Sequence, residues 1–317
     1  MKATFYTIIA LIAFAANSLF CRMALADDHI DAWSFTAVRL LSAAGCLGVI
    51  MMLHTYHLRR QLQRFGSTTD DTCLILNDRG SWLSSISLVV YALCFSIAYM
   101  ALDTGTGALI LFSAVQLTMI GWGIYKKERL SKLQWMAFIV AVVGFIYLML
   151  PSAAVPSLSA AALMTISGMA WAIYSIRGKS CTSPLQATGF NFIRSLIAVP
   201  ILLIVSMNYL DTIGLDNVDL DTITTKGLLL AIASGTIASG VGYSIWYTAM
   251  PLLRNTQAAV VQLCVPVLAA ILGMVFLSEQ LTLPFIVAST VILGAVLTFI
   301  LNKAPSKLPS KNILSKM

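Results

Sequence analysis

Ten apolar segments, each long enough to cross a bilayer, dominate this chain and leave little room for any other architecture. They lie at about 3–25, 32–53, 81–102, 107–125, 133–150, 158–176, 185–207, 227–250, 256–277 and 284–302. Crossing the hydrocarbon core takes roughly 17–25 apolar residues. Only 10% of the 317 residues are charged, against about 25% in a soluble protein. The mean hydropathy of +0.87 points the same way. The expected fold class is an all-α integral membrane protein with ten transmembrane helices.

The segments also repeat. Arg22 and Arg39 lie 17 residues apart, and so do Arg177 and Arg194, at an offset of 155. Ser96-Ile97-Ala98-Tyr99-Met100-Ala101 recurs as Ser244-Ile245-Trp246-Tyr247-Thr248-Ala249, at an offset of 148. Lys127-Glu128-Arg129-Leu130-Ser131 recurs loosely as Ser278-Glu279-Gln280-Leu281-Thr282, at an offset of 151. Loop insertions produce a drift of this size. The expected organisation is a first five-span repeat over 1–152 and a second over 157–302, joined through Pro151–Pro156. A basic cytoplasmic tail, expected to be disordered, follows over 303–317. Duplicated membrane halves are the usual ground plan of secondary transporters, with the substrate between them.

Lys and Arg set the orientation. With the N-terminus inside, the inner segments carry Lys2, Arg59, Arg60, Arg64, Arg79, Lys126, Lys127, Arg129, Lys132, Arg177, Lys179, Arg254, Lys303, Lys307, Lys311 and Lys316. The outer loops carry only Lys226, so both termini are expected in the cytoplasm. This split also explains the net charge of +7 without nucleic acid, because the basic residues face the anionic leaflet. Ala24-Leu25-Ala26 imitates a signal-peptidase site, but Asn17 and Arg22 interrupt the apolar run before it. Cys21, Cys46, Cys73, Cys94, Cys181 and Cys264 are scattered without a CxxC pair and read as small apolar fillers, not as metal ligands.

Absences narrow the class further. The chain has no Walker A motif, no HExxH and no GxSxG. His29, His54 and His57 fall in loops. Asp103 and Glu279 fall at outer span ends and Glu128 at an inner one, so no carboxylate is expected at depth. Enzymatic chemistry, a cofactor and a carboxylate proton relay are therefore not expected.

Three recurring features carry a family resemblance. Each half has an Arg in its second span, within Phe35-Thr-Ala-Val-Arg39 and Phe190-Asn-Phe-Ile-Arg194. Each has Ser-Ile-x-Tyr near the end of its third span and a Glu just after its fourth. Trp171-Ala172-Ile173-Tyr174 adds a first-span pattern. Over about 3–302 the chain resembles the EamA-type, ten-span branch of the drug/metabolite transporter superfamily. The resemblance implies two inverted five-helix repeats, a central cavity near the midplane and export of small metabolites. The first half departs from the pattern at Ala16-Asn17 and lacks a fourth-span Pro, where the second half has Pro266.

Buried polar residues are the candidate substrate ligands. Arg194 counts to the centre of span 7 and Arg39 to about one turn outward of the centre of span 2. A guanidinium there costs at least ~2.5–3.5 kcal/mol. Each must bond backbone carbonyls, polar side chains, water or an anionic substrate. Gln116, Gln262 and Asn17 can read a polar substrate or join helices. Tyr91, Trp171 and Tyr243 are candidate cavity aromatics. Tyr99 and Tyr247 lie nearer span ends, where gating and interface-belt roles compete. Pro266 is a hinge or a static bend. Ser131-Lys-Leu-Gln134 reads as a capping box, Thr282 with Pro284 as a helix start, and Gly235/Ser239 and Ala238/Gly242 as close-packing pairs.

The reading is a multi-pass secondary carrier of the bacterial inner membrane, exporting amino acids or related metabolites by alternating access. Facilitated diffusion or exchange fits better than proton antiport, because no deep carboxylate is expected. A drug or lipophilic-cation exporter and a non-transporting scaffold or sensor are the alternatives. The expected partners are a small-molecule substrate and the lipid bilayer. A fused inverted pair needs no second copy, so a monomer is expected.

Overall fold

A computed structural model describes residues 2–64, 78–125, 130–149, 157–178, 181–212, 223–252, 261–262 and 264–302. Glu128, the 151–156 linker, residues 65–77 of the long loop and the 303–317 tail lie outside the described residues. Among the described residues all regular structure is helical.

The first five helices are α1 (Lys2–Leu25), α2 (Ala32–Arg64), α3 (Trp82–Tyr99), α4 (Thr104–Tyr125) and α5 (Lys132–Met149). After α6 (Leu158–Gly178), two rods are composite. In the first, α7 (Pro184–Ser195) passes through a 3-10 turn, Leu196–Ala198, into α8 (Val199–Thr212). Pro200 explains that turn, since its ring clashes with the carbonyl four residues back, at Leu196. In the second, α9 (Thr225–Ala233) passes through a π-helical segment, Ser234–Val241, into α10 (Gly242–Ala249). The last two are α11 (Cys264–Leu277) and α12 (Leu283–Leu301).

Seven of these rods are long and apolar enough to cross a membrane. Shorter apolar helices at Lys132–Tyr147, Cys264–Leu277 and Leu283–Phe299 occupy the places of the fifth, ninth and tenth expected spans. One local expectation changes. Helix α2 runs past the expected span end at 53 to Arg64, so His54 and His57 are helical rather than in a loop, with Arg60 over the Tyr56 ring at 5.7 Å. Pro266 is buried within α11.

Side-chain oxygens start the helices where the sequence places them. Ser131 and Gln134 form a reciprocal capping box, with N–H···O distances of 2.9 and 3.2 Å. Thr282 caps α12, accepting from the Phe285 N–H at 3.4 Å. Ser81 and Thr224 cap α3 and α9 in the same way.

The polarity of the molecule is that of a protein in lipid. Phe5, Ile8, Ile86, Val143, Ile201, Val275 and Phe276 are exposed, whereas Asn17, Arg39, Gln116 and Gln262 are buried. Hydrocarbon solvates the first set and cannot hydrogen-bond the second. The core joins distant parts of the sequence: α3 and α4 pack on α6, α1 on α10 and α11, and α2 on the π-helical segment. Helices α5 and α12 pack mainly on each other at the periphery. Small residues permit the closest approaches, as where Gly242 meets Ala13 and Gly235 meets the Arg39 carbonyl.

Candidate functional site

Arg39 is the eighth residue of α2 and only 1% exposed. Its Nε donates to Ser239 Oγ at 3.0 Å. Its Nη2 donates to Tyr243 Oη at 2.8 Å and to Tyr91 Oη at 3.3 Å. The guanidinium lies 5.2 Å from the Tyr91 ring centre and 5.1 Å from that of Phe95, within cation–π range. Its Nη1 finds no acceptor among the described residues. Among the described residues no carboxylate pairs with Arg39. The Arg39 charge thus sits inside the bundle, held by hydroxyls and aromatic faces, with one donor unused among the described residues.

The neighbouring elements build the cage. Tyr243 donates to Tyr91 Oη at 3.0 Å. Asn17 on α1 donates to the same oxygen at 3.2 Å and accepts from Ser234 Oγ at 2.7 Å. Trp171 on α6 packs 5.0 Å from Tyr91 and 4.6 Å from Tyr243, and its buried indole N–H has no partner among the described residues. Phe14 closes one side, edge-on to Trp171 at 5.5 Å. Ser239 comes from the π-helical segment, a geometry frequent at functional sites.

Of the sequence candidates, this centre gathers Asn17, Arg39, Tyr91, Trp171 and Tyr243. Gln116 and Gln262 are buried, but Arg39 does not bond them. Arg194 lies elsewhere. It donates to the Arg79 carbonyl and stacks 5.5 Å over the exposed Trp82 ring, at the end of the bundle where α3 begins. The sequence count put Arg194 at mid-depth, yet its long stem carries the charge out to that end. Residues missed in the sequence are Ser234, Ser239 and Phe14. The Gly235/Ser239 pair was visible only as a packing signal.

The two ends of the bundle differ. At the α3 start a cavity of about 120 Å³ is lined by Asp78, Ser81, Ser84, Arg177, Asn191 and Tyr247, among others. Arg177 Nε donates to Ser81 and Ser84 Oγ at 3.1 and 3.2 Å. Between this cavity and Arg39 stands a ladder of rings: Tyr247 stacks on Tyr174 at 5.1 Å, Tyr174 on Trp171 at 5.5 Å. At the opposite end Arg22 donates to the Tyr99 and Met100 carbonyls at 2.9 and 3.1 Å. It also lies 3.6 Å from Glu279 and 3.7 Å from Asp103. Glu279 accepts from the Thr104 N–H and Oγ1, both at 2.9 Å. Glu279, expected at an outer span end, caps α4. Tyr99 and Tyr247 are both buried, one at each end, so neither faces the lipid interface.

Replacing Tyr243 by Phe removes a bond to Arg39 and one to Tyr91. The expected cost is about 1–3 kcal/mol for the stranded partners, read as a lower melting temperature in detergent. An unchanged melting temperature would mean that this hydroxyl does not hold the cage.

Apolar rods around a polar interior define a multi-pass helical membrane protein. The comparisons give the family. The model of the EamA-like transporter family matches residues 158–301. An uncharacterized protein of Pseudomonas aeruginosa is 41% identical over 290 residues, covering 92% of this chain and 91% of its own. A protein of Archaeoglobus fulgidus named an uncharacterized transporter is 25% identical over 233 residues, covering 69% and 79%. The chain belongs to the EamA-like transporter family. A solved crystal structure matches with a TM-score of 0.58 at 14% identity, covering 94% of this chain and 97% of its own, and shows the fold alone.

Proposed function

We propose that this membrane transporter is a secondary carrier that exports small carboxylate-bearing metabolites, amino acids or related compounds, by alternating access. One observation carries the reading: a buried arginine with, among the described residues, no carboxylate partner and no acceptor on Nη1, inside a cage of hydroxyls and rings. A substrate carboxylate would supply the missing charge and acceptor, in a charge-assisted bond stronger than a neutral one. Asn17, Tyr91, Trp171 and Tyr243 would orient the rest of the substrate. The aromatic faces already hold the guanidinium, which argues against a lipophilic cation as cargo.

In this reading the chain forms two inverted five-span repeats with both termini in the cytoplasm of a bacterial inner membrane. The cavity by Arg177 then faces the cytoplasm, and the Arg22–Glu279 end faces outward. Tyr247 and Tyr99 gate the two sides. Gln116, Gln262 and Arg194 are secondary candidates, and Pro266 eases movement of α11.

Counterflow in proteoliposomes tests this, using labelled amino acids, organic acids and a lipophilic cation. Amino-acid or organic-acid exchange is expected. Cation exchange alone would overturn the reading in favour of drug export. No exchange of any probe, with no thiol-accessible interior, would favour a scaffold.

A further inference from the structure

The Arg22 end of the bundle carries an unbalanced charge. One guanidinium faces two carboxylates, Asp103 on the α3–α4 turn and Glu279 on the α11–α12 turn. Asp103 is 41% exposed, whereas Glu279 is 12% exposed. Arg22 stays anchored on the Tyr99 and Met100 carbonyls whatever the charge on Glu279. The charged and titratable groups facing Glu279 are Arg22 from α1, Tyr99 from α3 and Asp103. Burial pushes the Glu279 carboxyl above the ordinary carboxylate range; Asp103 adds to this, and the Thr104 bonds and Arg22 oppose it. A niche of about 10 Å³ beside Asp103, Thr106, Glu279 and Gln280 gives room on the order of one water.

We propose that Glu279 takes up a proton from the outer solution when this end closes, so that external acid holds the closure shut and external alkali favours opening. The inference rests on the carrier reading above. The sign follows from linkage. In the open form Glu279 meets water and regains an ordinary affinity, near ~4.3. The closed form binds the proton more tightly, so its added stability is fully present below the open-form value. It is lost as pH rises through the closed-form value. The proton returns to the side it came from, so the device sets a rate without driving accumulation.

Cys21 is a native reporter, buried on α1 within reach of Ser96 and between Arg22 and Arg39. In full-length protein lacking the other cysteines, its labelling by a membrane-impermeant maleimide is followed as external pH is stepped and internal pH held. Rates are normalised to a fully exposed thiol. Each unit of affinity difference changes the closed-to-open ratio by up to about tenfold. Labelling should rise with pH in the wild type and stay flat and slow in Glu279→Gln. In Asp103→Asn the midpoint should move to lower pH. A wild-type response absent, reversed, or retained in Glu279→Gln overturns the proposal. Labelling needs no substrate, so the carrier reading is tested separately: exchange without a pH response sinks only the closure, and a pH response without exchange sinks only the carrier.

Discussion

Arg39→Gln should bring substrate exchange in proteoliposomes down by about 10–100-fold, the loss of one or two charge-assisted bonds. The folded protein should remain in the membrane, because glutamine can still donate to Ser239 or Tyr243. Arg39→Lys should fail nearly as badly, since an ammonium lacks the planar fork that serves three protein acceptors and a carboxylate at once. Stability should move the other way. The charge is 1% exposed and has no carboxylate partner among the described residues. A well-packed apolar replacement removes a desolvated ion that nothing neutralises. Arg39→Met should therefore melt at or above the wild-type temperature while transporting nothing. Unimpaired exchange in Arg39→Gln would remove Arg39 from the substrate site. A lower melting temperature in Arg39→Met would make it a structural clasp.

Gly168→Leu should leave almost no folded protein. A Cβ at Gly168 would meet the Leu111 carbonyl oxygen and lie 2.8 Å from the Ala114 Cβ. The first obstacle is backbone, which cannot swing aside as a side chain can. Helices α4 and α6 are separated in sequence by α5 and the 151–156 linker, and their crossing supports Trp171 one turn away. Overpacking in such a place costs about 1–3 kcal/mol for small insertions, so Gly168→Ala should lower the melting temperature measurably. Leucine adds several more atoms against the same carbonyl. The monodisperse fraction after detergent extraction reports the outcome. Wild-type yield for Gly168→Leu would mean that α4 and α6 do not approach this closely.

The apolar runs alone made the helices legible, because a bilayer asks for little else. Arg39 was legible too, as a charge inside such a run. Its partners were not. Ser239 and Tyr243 lie 200 and 204 residues further on, and the π-helical segment that presents Ser239 leaves no trace in a periodicity of 3.6. Arg194 misled because counting along a helix locates a Cα and not a charge at the end of a long stem. The partner of Glu279 was not legible, because the helix end it caps lies 175 residues away at Thr104. The break in the α7–α8 rod follows from Pro200, which sequence reading did not single out.

The different fates of Arg39 and Arg194 have an electrostatic consequence. These two arginines hold matching places among the sequence landmarks, and both could have pointed at the middle of the molecule. Two guanidiniums there would repel each other and share whatever anion arrived. Because Arg194 ends on the Arg79 carbonyl and the Trp82 ring, Arg39 alone of the two brings its charge into the cage. In the proposed carrier a cargo bearing one carboxylate would find one counter-charge there, and a dianion would carry an excess. The broken likeness of the two arginines would then set the valence of the proposed passenger.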